Sequence, residues 1–413
     1  MAQRGTDRRA AVHRADAVAS SEQFWDRGGT PLQWRNMREQ VRLLVYAGGF
    51  ARLGGVESFL CDLLGGLLAE DLAVRLLCWD GAVPRGNDHL NCLRLSGVGV
   101  SRLPWRWGCR WGWPDWFLLP FGLRELGRAD VVLFGKLFHE PVQRRLSAWK
   151  KSRGGPPFIL VTPYRPAEMW GDDPPGRDVL ESFEVIVVQS PAFAQDLKSV
   201  GFEGEIRVLP YLPPACESAS PLPPTPPLRI GFLGRLAPQK NLAYLLNAFA
   251  EVRRSIEAEL WIYGDGPERL SLTRLAERLG IARCVRFHGP VPRGEVARAV
   301  DSCHLFAFTS LTEGQCLAAL EILARGRTLV ATPVGVFPEL LRNPIFGRLA
   351  PLNSAEAFAA VVLDQARTVI AAGNRLVGQV QQAFASCFPR EEILDQYAQL
   401  IRSLAERGRA AGP

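Results

Sequence analysis

The chain has 413 residues, 47% hydrophobic and 22% charged, which excludes a single small module and a mostly disordered chain and leaves room for two domains. Its 49 Lys and Arg exceed 42 Asp and Glu, a net charge of +7 that suits an anionic partner. No zinc-finger spacing, RNA-binding signature or lysine-rich tail directs that charge to nucleic acid, which is set aside.

Residues 1–40 are polar and Arg-rich (Arg4, Arg8, Arg9, Arg14) with no apolar stretch of the signal-peptide kind, so they read as a poorly ordered leader, with Met37 an alternative start. Nowhere does an apolar run approach the roughly 18 residues of a spanning helix. The run Val41 to Tyr46 opens a first domain, 41–211, in which strand-like segments such as 131–138 and 158–162 alternate with amphipathic helical ones. That alternation implies parallel sheets covered on both faces, the α/β class. Between Pro210 and Pro227 eight prolines fall in eighteen positions, which no helix or strand survives, so 212–227 reads as an interdomain linker.

The alternation then restarts over a second domain, 228–388. Strands are expected at 228–234, 259–264, 285–289, 304–309 and 328–332, and helices at 241–254, 268–279, 316–324 and 337–342. A last segment, 389–413, carries Ile393, Leu394, Tyr397, Leu400, Ile401 and Leu404 on one helical stripe that must be buried against one of the domains.

Three clusters in the second domain can carry chemistry. In the first, Gly231 to Leu242, a strand ends, a loop presents Arg235 and Lys240, and a helix begins. A planar guanidinium, a point charge and helix-end amides are what a diphosphate requires, although two solvated surface cations would give the same letters. In the second, Gly264-Asp265-Gly266-Pro267 closes a strand with glycines that allow close approach of a ligand, and Asp265 reads as a cap. In the third, Glu313 and Glu321 stand eight apart; a helical segment of that length spans up to ~12 Å, so each carboxylate can hold one end of a nucleoside diphosphate sugar. Glu321 falls in an otherwise apolar helix, facing either a ligand or solvent.

In the first domain, Gly48-Gly49 and Gly54-Gly55 follow the opening strand and lead into a helix, where backbone amides can approach a phosphate or a sugar hydroxyl. The stretch 102–128 holds Trp105, Trp107, Trp111, Trp113 and Trp116 interleaved with Arg102, Arg106 and Arg110. This mixture suits a lipid headgroup boundary, with Trp107, Trp111, Trp113 and Trp116 as candidate membrane contacts; it also suits an acceptor loop or an inserted piece of core.

Together the words Gly54-Gly55-Val56-Glu57, G-R-L-x-x-x-K at 234–240, Gly-Asp-Gly-Pro at 264–267, Phe287-His288-Gly289 and the E-x7-E of Glu313 and Glu321 resemble the retaining family-4 glycosyltransferases. The resemblance covers most of 41–404 and is strongest at 228–340. It implies the GT-B fold, two Rossmann-like doubly wound domains facing each other across a cleft, with the terminal segment crossing back to the first. It also implies that Arg235 and Lys240 hold the donor diphosphate, Glu321 the ribose and Glu313 the transferred sugar. Gly54, Gly55, Glu57, Gly264, Gly266, Gly314, Gln315, Cys316 and Leu317 complete the substrate contacts that it implies, with no metal and no cofactor besides the donor itself.

One departure stands out. Where the family carries a histidine after a first-domain strand, this chain has Thr162-Pro163-Tyr164-Arg165, so His139 is the candidate to take its catalytic place beside Glu313, Arg235 and Lys240. Val336 also replaces a glycine usual after Gly335, while Glu339 keeps its place. The expected partners are a nucleotide diphosphate sugar, a glycan or lipid-linked acceptor and an anionic membrane surface. The reaction expected is hexose transfer in cell-surface polysaccharide or lipopolysaccharide biosynthesis; a nucleotide-sugar-binding scaffold that has lost turnover is the alternative. Nine cysteines standing singly, with no C-x-x-C pair, read as free thiols in a reducing cytosol.

Overall fold

The computed structural model describes residues 40–48, 55–79, 93, 96–103, 123, 125–135, 140–162 and 177–410. Seven strands form a first parallel sheet: β1 (Arg42–Gly48), β2 (Ala73–Trp79), β3 (Gly99–Leu103), β4 (Val131–Phe134), β5 (Phe158–Val161), β6 (Val185–Val188) and β7 (Glu205–Val208), in the order 3-2-1-4-5-6-7. Its described helices are α1 (Gly55–Ala69), α2 (Glu140–Arg153), α3 (Arg177–Leu180) and α4 (Pro191–Ser199). The central strands β4, β5 and β6 read VVLF, FILV and VIVV and are buried throughout, as strands covered on both faces must be. Along β1 the side chains alternate between two cores. Leu43, Val45 and Ala47 pack with α1, while Leu44 and Tyr46 pack on the opposite face with Phe134, Phe158 and Phe183.

A second parallel sheet contains β8 (Leu228–Leu233), β9 (Ala258–Tyr263), β10 (Val285–Gly289), β11 (Leu305–Phe308), β12 (Thr328–Ala331) and β13 (Gly347–Leu349), in the order 10-9-8-11-12-13. Its helices are α5 (Leu242–Ser255), α6 (Arg269–Arg278), α7 (Val296–Asp301), α8 (Leu317–Ala324), α9 (Phe337–Leu340), α10 (Ala355–Ala372) and α11 (Asn374–Cys387). The last helix, α12 (Arg390–Ala410), buries Ile393, Tyr397, Leu400, Ile401 and Leu404 in the first sheet's core, beside α1. No described helix is long and apolar enough to cross a membrane.

The strand expected over 131–138 is shorter than its apolar run suggests: β4 stops at Phe134, and Gly135 turns so that its N–H reaches the Tyr46 carbonyl at 2.9 Å. The Pro-rich segment contains no helix or strand, yet it is held firmly. Tyr211 and Leu212 are buried in the first core. Further along, Arg327, 0% exposed, donates to the carbonyls of Ser220 (2.9 Å) and Pro221 (3.1 Å). The Leu222 N–H reaches Asn374 Oδ1 at 2.8 Å, and His304 Nε2 lies 3.0 Å from the Pro223 carbonyl. Prolines remove donors, so the segment's carbonyls are satisfied by side chains of the second half.

In both sheets the strand order reverses once, between β1 and β4 and between β8 and β11. Loops leaving the carboxyl ends of strands at such a point diverge and leave a crevice, which is where open α/β sheets bind ligands. The expected donor residues belong to the loops after β8 and β11, whereas His139 and residues 49–54 of the glycine loop lie outside the described residues.

Candidate functional site

At the end of β8 the chain runs through Gly234 and Arg235 to a single 3-10 turn, Pro238–Lys240, and then into α5. At the end of β11 it runs through Thr309 to Cys316 into α8. These two loops are laced together. Thr309 Oγ1 lies 3.2 Å from the Lys240 carbonyl and 3.0 Å from that of Asn241, and the Leu311 N–H donates to the Gln239 carbonyl at 2.8 Å. Lys240 Nζ is thereby set 2.5 Å from Glu313 Oε1, which also accepts from Ser310 Oγ at 2.7 Å. Glu313 is only 6% exposed, so its charge depends on this cation and hydroxyl. Arg235 stands exposed on the same loop, and among the described residues its side chain makes no hydrogen bond or ion pair.

Two non-glycine residues of these loops adopt the left-handed conformation: Asn241 (φ 50°), directly after Lys240, and Cys316 (φ 48°), directly before α8. Such strain persists only where surrounding contacts enforce it. Burial, with the Glu313 charge adding to it, pushes the Cys316 thiol well above its ordinary range. That thiol stays protonated and unreactive.

The glycines of the second cluster have a structural cause beyond ligand approach. A Cβ on Gly264 would stand 1.8 Å from the Gly234 carbonyl oxygen, and one on Gly266 would stand 2.3 Å from that of Leu236. The β9 loop therefore presses directly on the β8 loop, joined by the Leu236 N–H to the Asp265 carbonyl at 3.0 Å. Asp265 bonds its carboxylate to the Gly266 N–H at 2.9 Å, a local turn contact.

The remaining expected residues lie along the seam between the halves. Gly55 begins α1 facing Leu317, whose Cδ1 would be 3.3 Å from a Cβ there; Leu317 packs against both the first and the second core. Gln315 is buried, and its Oε1 accepts the Tyr211 N–H at 2.7 Å, so its side chain ties the loop after β11 to the start of the Pro-rich segment. Glu57 is buried in the first turn of α1. One turn beyond Leu317, Glu321 is half-buried, and among the described residues no hydrogen bond reaches its carboxylate. Its carboxyl is pushed up to about 7 by burial, opposed by the Arg293 charge and reinforced by that of Asp62. Only the second half of the Glu313–Glu321 segment is helical, since α8 starts at Leu317, so helical rise does not by itself set the separation of the two carboxylates.

Gly54, His139, Tyr164, Arg165, Trp107, Trp111, Trp113 and Trp116 lie outside the described residues. Sequence reasoning passed over Ser310, Tyr211, Asp62 and Arg293. Ser310 stands three positions before Glu313, but nothing local marks Asp62 and Arg293 as partners across 231 positions.

The loops at the reversal point of the second sheet thus carry an exposed guanidinium and a lysine–carboxylate pair, and the helix that follows carries a second carboxylate that no described residue hydrogen-bonds. Residues 227–367 match the family profile described as Glycosyl transferases group 1. The lipopolysaccharide core biosynthesis glycosyltransferase LpsE of Rhizobium meliloti is 27% identical over 238 residues, 56% of this chain and 68% of that protein. The D-inositol 3-phosphate glycosyltransferase of Corynebacterium jeikeium is 30% identical over 217 residues, 46% of this chain and 51% of that protein. In structure, Anabaena HepE in complex with UDP and glucose superposes with a TM-score of 0.70 at 15% identity, covering 88% of this chain and all of that one. The two sheets and this superposition together define the GT-B fold.

Proposed function

We propose that this protein is a retaining, metal-independent glycosyltransferase of family 4. It moves a hexose from a nucleotide diphosphate sugar to a glycan or lipid-linked acceptor in cell-surface polysaccharide or lipopolysaccharide biosynthesis. The observation that carries the reading is the Lys240–Glu313 contact at 2.5 Å beside the exposed Arg235, at the reversal point of the second sheet. Arg235 and Lys240 grip the donor diphosphate and stabilise the negative charge that grows on it as the sugar departs, the role a divalent ion would otherwise fill. Glu313, released from Lys240 as the diphosphate takes that cation, accepts hydroxyl protons of the sugar, and Glu321 those of the ribose. The second domain, 228–388, carries the donor, and the first, 41–211, presents the acceptor. Closure about the linker excludes water.

HepE, a protein of the same fold, is described in complex with UDP-glucose, which makes that compound the first donor to try. The lipopolysaccharide role named for LpsE supports the acceptor class. The test is nucleotide release from a panel of nucleotide sugars, with and without lipid-linked acceptor, and NMR of the product anomer. Retained configuration and turnover unchanged by EDTA are expected; inversion, or activity that EDTA abolishes and a divalent ion restores, overturns the mechanism. Donor binding without turnover for any pair identifies the scaffold instead, the outcome that the missing Thr-x-His word motivates. The enzyme works at the inner face of the plasma membrane as a peripheral protein. Anionic vesicles should sediment it, and replacing Trp111, Trp113 and Trp116 should release it.

A further inference from the structure

One side of α1 carries Gly55, Phe59, Asp62 and Gly66, which recur at the helical spacing and all meet parts of the chain outside the first sheet. Gly55 meets Leu317, Phe59 stacks on Tyr211 with ring centroids 4.2 Å apart, and Gly66 lies against Leu394. At the middle of this row Asp62 Oδ1 accepts a bond from Arg293, in the turn after β10, and lies 4.0 Å from Arg390 at the start of α12. Arg293 also donates to the Ser58 carbonyl at 3.2 Å. A single guanidinium therefore reaches from the second half to both a carboxylate and a backbone carbonyl of the first.

The chain crosses between the halves at two places, the Pro-rich segment and the start of α12, and Arg390 ties the two by donating to the Pro213 carbonyl. From Glu217 onward the crossing segment is strapped to the second half by Gln381, Asp301, Arg327, Asn374 and His304. Relative motion of the halves is thus confined to the few residues between these ties, and any rotation there must part Arg293 from Asp62.

We propose that Asp62 and Arg293 are positioning residues for transfer: their ion pair is the clasp that holds the two halves in the closed arrangement, with Glu321 on its donor side. The inference rests on the transferase reading above. An apolar seam of equal area would hold the halves without letting go, whereas a partly shielded ion pair gains Coulomb energy and loses hydration in nearly equal measure. Asp62 and Arg293 keep 24% and 31% of their side-chain surface exposed. Burial pushes the Asp62 carboxyl up despite the two arginines beside it, so its charge is held against a desolvation penalty that opening relieves. Such a pair can close over a bound donor and part again for product release.

The test uses the full chain with Asp62→Asn, Arg293→Gln, the double variant and the conservative Arg293→Lys. It measures small-angle scattering without ligand, the dissociation constant for UDP-glucose, and kcat with that donor. Each single neutral variant should raise the radius of gyration and lower kcat about tenfold, while UDP-glucose affinity changes less than about threefold. The double variant should be no slower than the worse single, and Arg293→Lys should fall between. Wild-type dimensions and kcat in both single variants overturn the clasp, as does a double variant whose losses multiply to about a hundredfold. A loss of melting temperature with no change in dimensions and no split between affinity and kcat marks a merely structural pair and also overturns it. Should Asp62→Asn fail to fold, Arg293→Lys and Arg293→Gln decide the matter. A wild-type chain that binds no nucleotide sugar strikes the transferase reading instead, and scattering, which needs no substrate, still judges the clasp.

Discussion

Gly335 lies directly beneath Glu313: a Cβ on Gly335 would stand 2.1 Å from the Glu313 carbonyl oxygen and 2.7 Å from its Cβ, and the Gly335 φ is 56°. The loop after β12 is therefore the floor on which the carboxylate loop rests. Two bonds join the loops, Thr332 Oγ1 to the Ser310 carbonyl at 2.7 Å and the Val336 N–H to the Gly314 carbonyl at 3.1 Å. Gly335→Ala adds a methyl group where backbone already stands and imposes a left-handed conformation on an L side chain. The expected cost is about 1–3 kcal/mol of stability, with UDP-glucose binding weakened at least about tenfold because the Glu313 carbonyl must move. Thermal melts and calorimetric titration check both; wild-type donor affinity in this variant would detach Glu313 from the donor site.

Lys240 neutralises a carboxylate that has almost no access to water, so removing it affects stability as well as binding. Lys240→Ala should lower stability by about 1–3 kcal/mol, less than for a fully buried pair, since Lys240 keeps 19% of its side-chain surface exposed. Pairing Lys240→Met with Glu313→Gln removes both charges and should recover most of that stability while donor binding stays lost. Urea unfolding and UDP-glucose titration of the three proteins separate the two effects. A double variant as unstable as Lys240→Ala would show that the charge pair is not the cause.

Most strands of the second sheet and several of the first were readable because buried parallel strands must be runs of apolar residues, as in β4 and β5, which carry no polar side chain at all, whereas the strand order left no such mark. The loop cations Arg235 and Lys240 and the carboxylates Glu313 and Glu321 were readable for a different reason, since charge next to a strand end or within an apolar helix is conspicuous. Proline density marked the linker but not its attachment. That attachment rests on Arg327, whose buried guanidinium spans carbonyls more than a hundred positions away. Long-range polar pairs such as Asp62 with Arg293, and backbone strain such as that at Cys316, leave no local pattern and emerge only when the two sheets are set together. The glycines at 264 and 266 were noticed for the space that they leave to a ligand, whereas much of that space is filled by the neighbouring loop. Helices α10 and α11 went unassigned in the sequence, although α11 buries Leu376, Val377, Val380 and Phe384 on one face.

Glu321 gives the proposed donor site a pH dependence. Its carboxyl, pushed up to about 7 by burial, is protonated in the folded protein at pH values where an unfolded glutamate is already ionised. Between roughly pH 4.5 and 7 the unfolded chain releases this proton first, so stability falls as pH rises across that window and is level above it. Glu321→Gln removes the effect, and its melting temperature relative to wild type should increase from pH 5 to pH 8. Binding should run the opposite way. An ionised carboxylate accepts two ribose hydroxyls better than a protonated one, so wild-type affinity for UDP-glucose should tighten between pH 6 and 8, while Glu321→Gln stays flat. UDP-glucose is the right probe because its diphosphate diester does not titrate in this range. A wild-type affinity independent of pH would separate Glu321 from the ribose.

His304 offers a second titration, away from the donor. Its Nδ1 accepts the Arg229 N–H at 3.0 Å, which leaves Nε2 as the protonated nitrogen, 3.0 Å from the Pro223 carbonyl and 2.5 Å from Thr225 Oγ1. The neutral ring thus joins the first residues of β8 to the end of the linker. Burial, with the Arg229 and Arg327 charges adding to it and the Pro223 carbonyl acting against it, holds the imidazole below its ordinary value. A second proton would remove the acceptor that the Arg229 N–H uses and place a charge in a shielded site beside Arg229 and Arg327. Because the folded value lies below the unfolded one, the stability contributed by His304 is complete above about pH 6.5 and declines as pH falls toward the folded value. His304 should therefore add a drop in the wild-type urea midpoint between pH 7.5 and 5, opposite in sign to the Glu321 contribution. In His304→Gln, which keeps an acceptor and a donor but cannot charge, the drop should be smaller over the same range, with a lower midpoint at pH 7.5 for the imperfect fit. Equal slopes in the two proteins would assign the acid sensitivity to other groups.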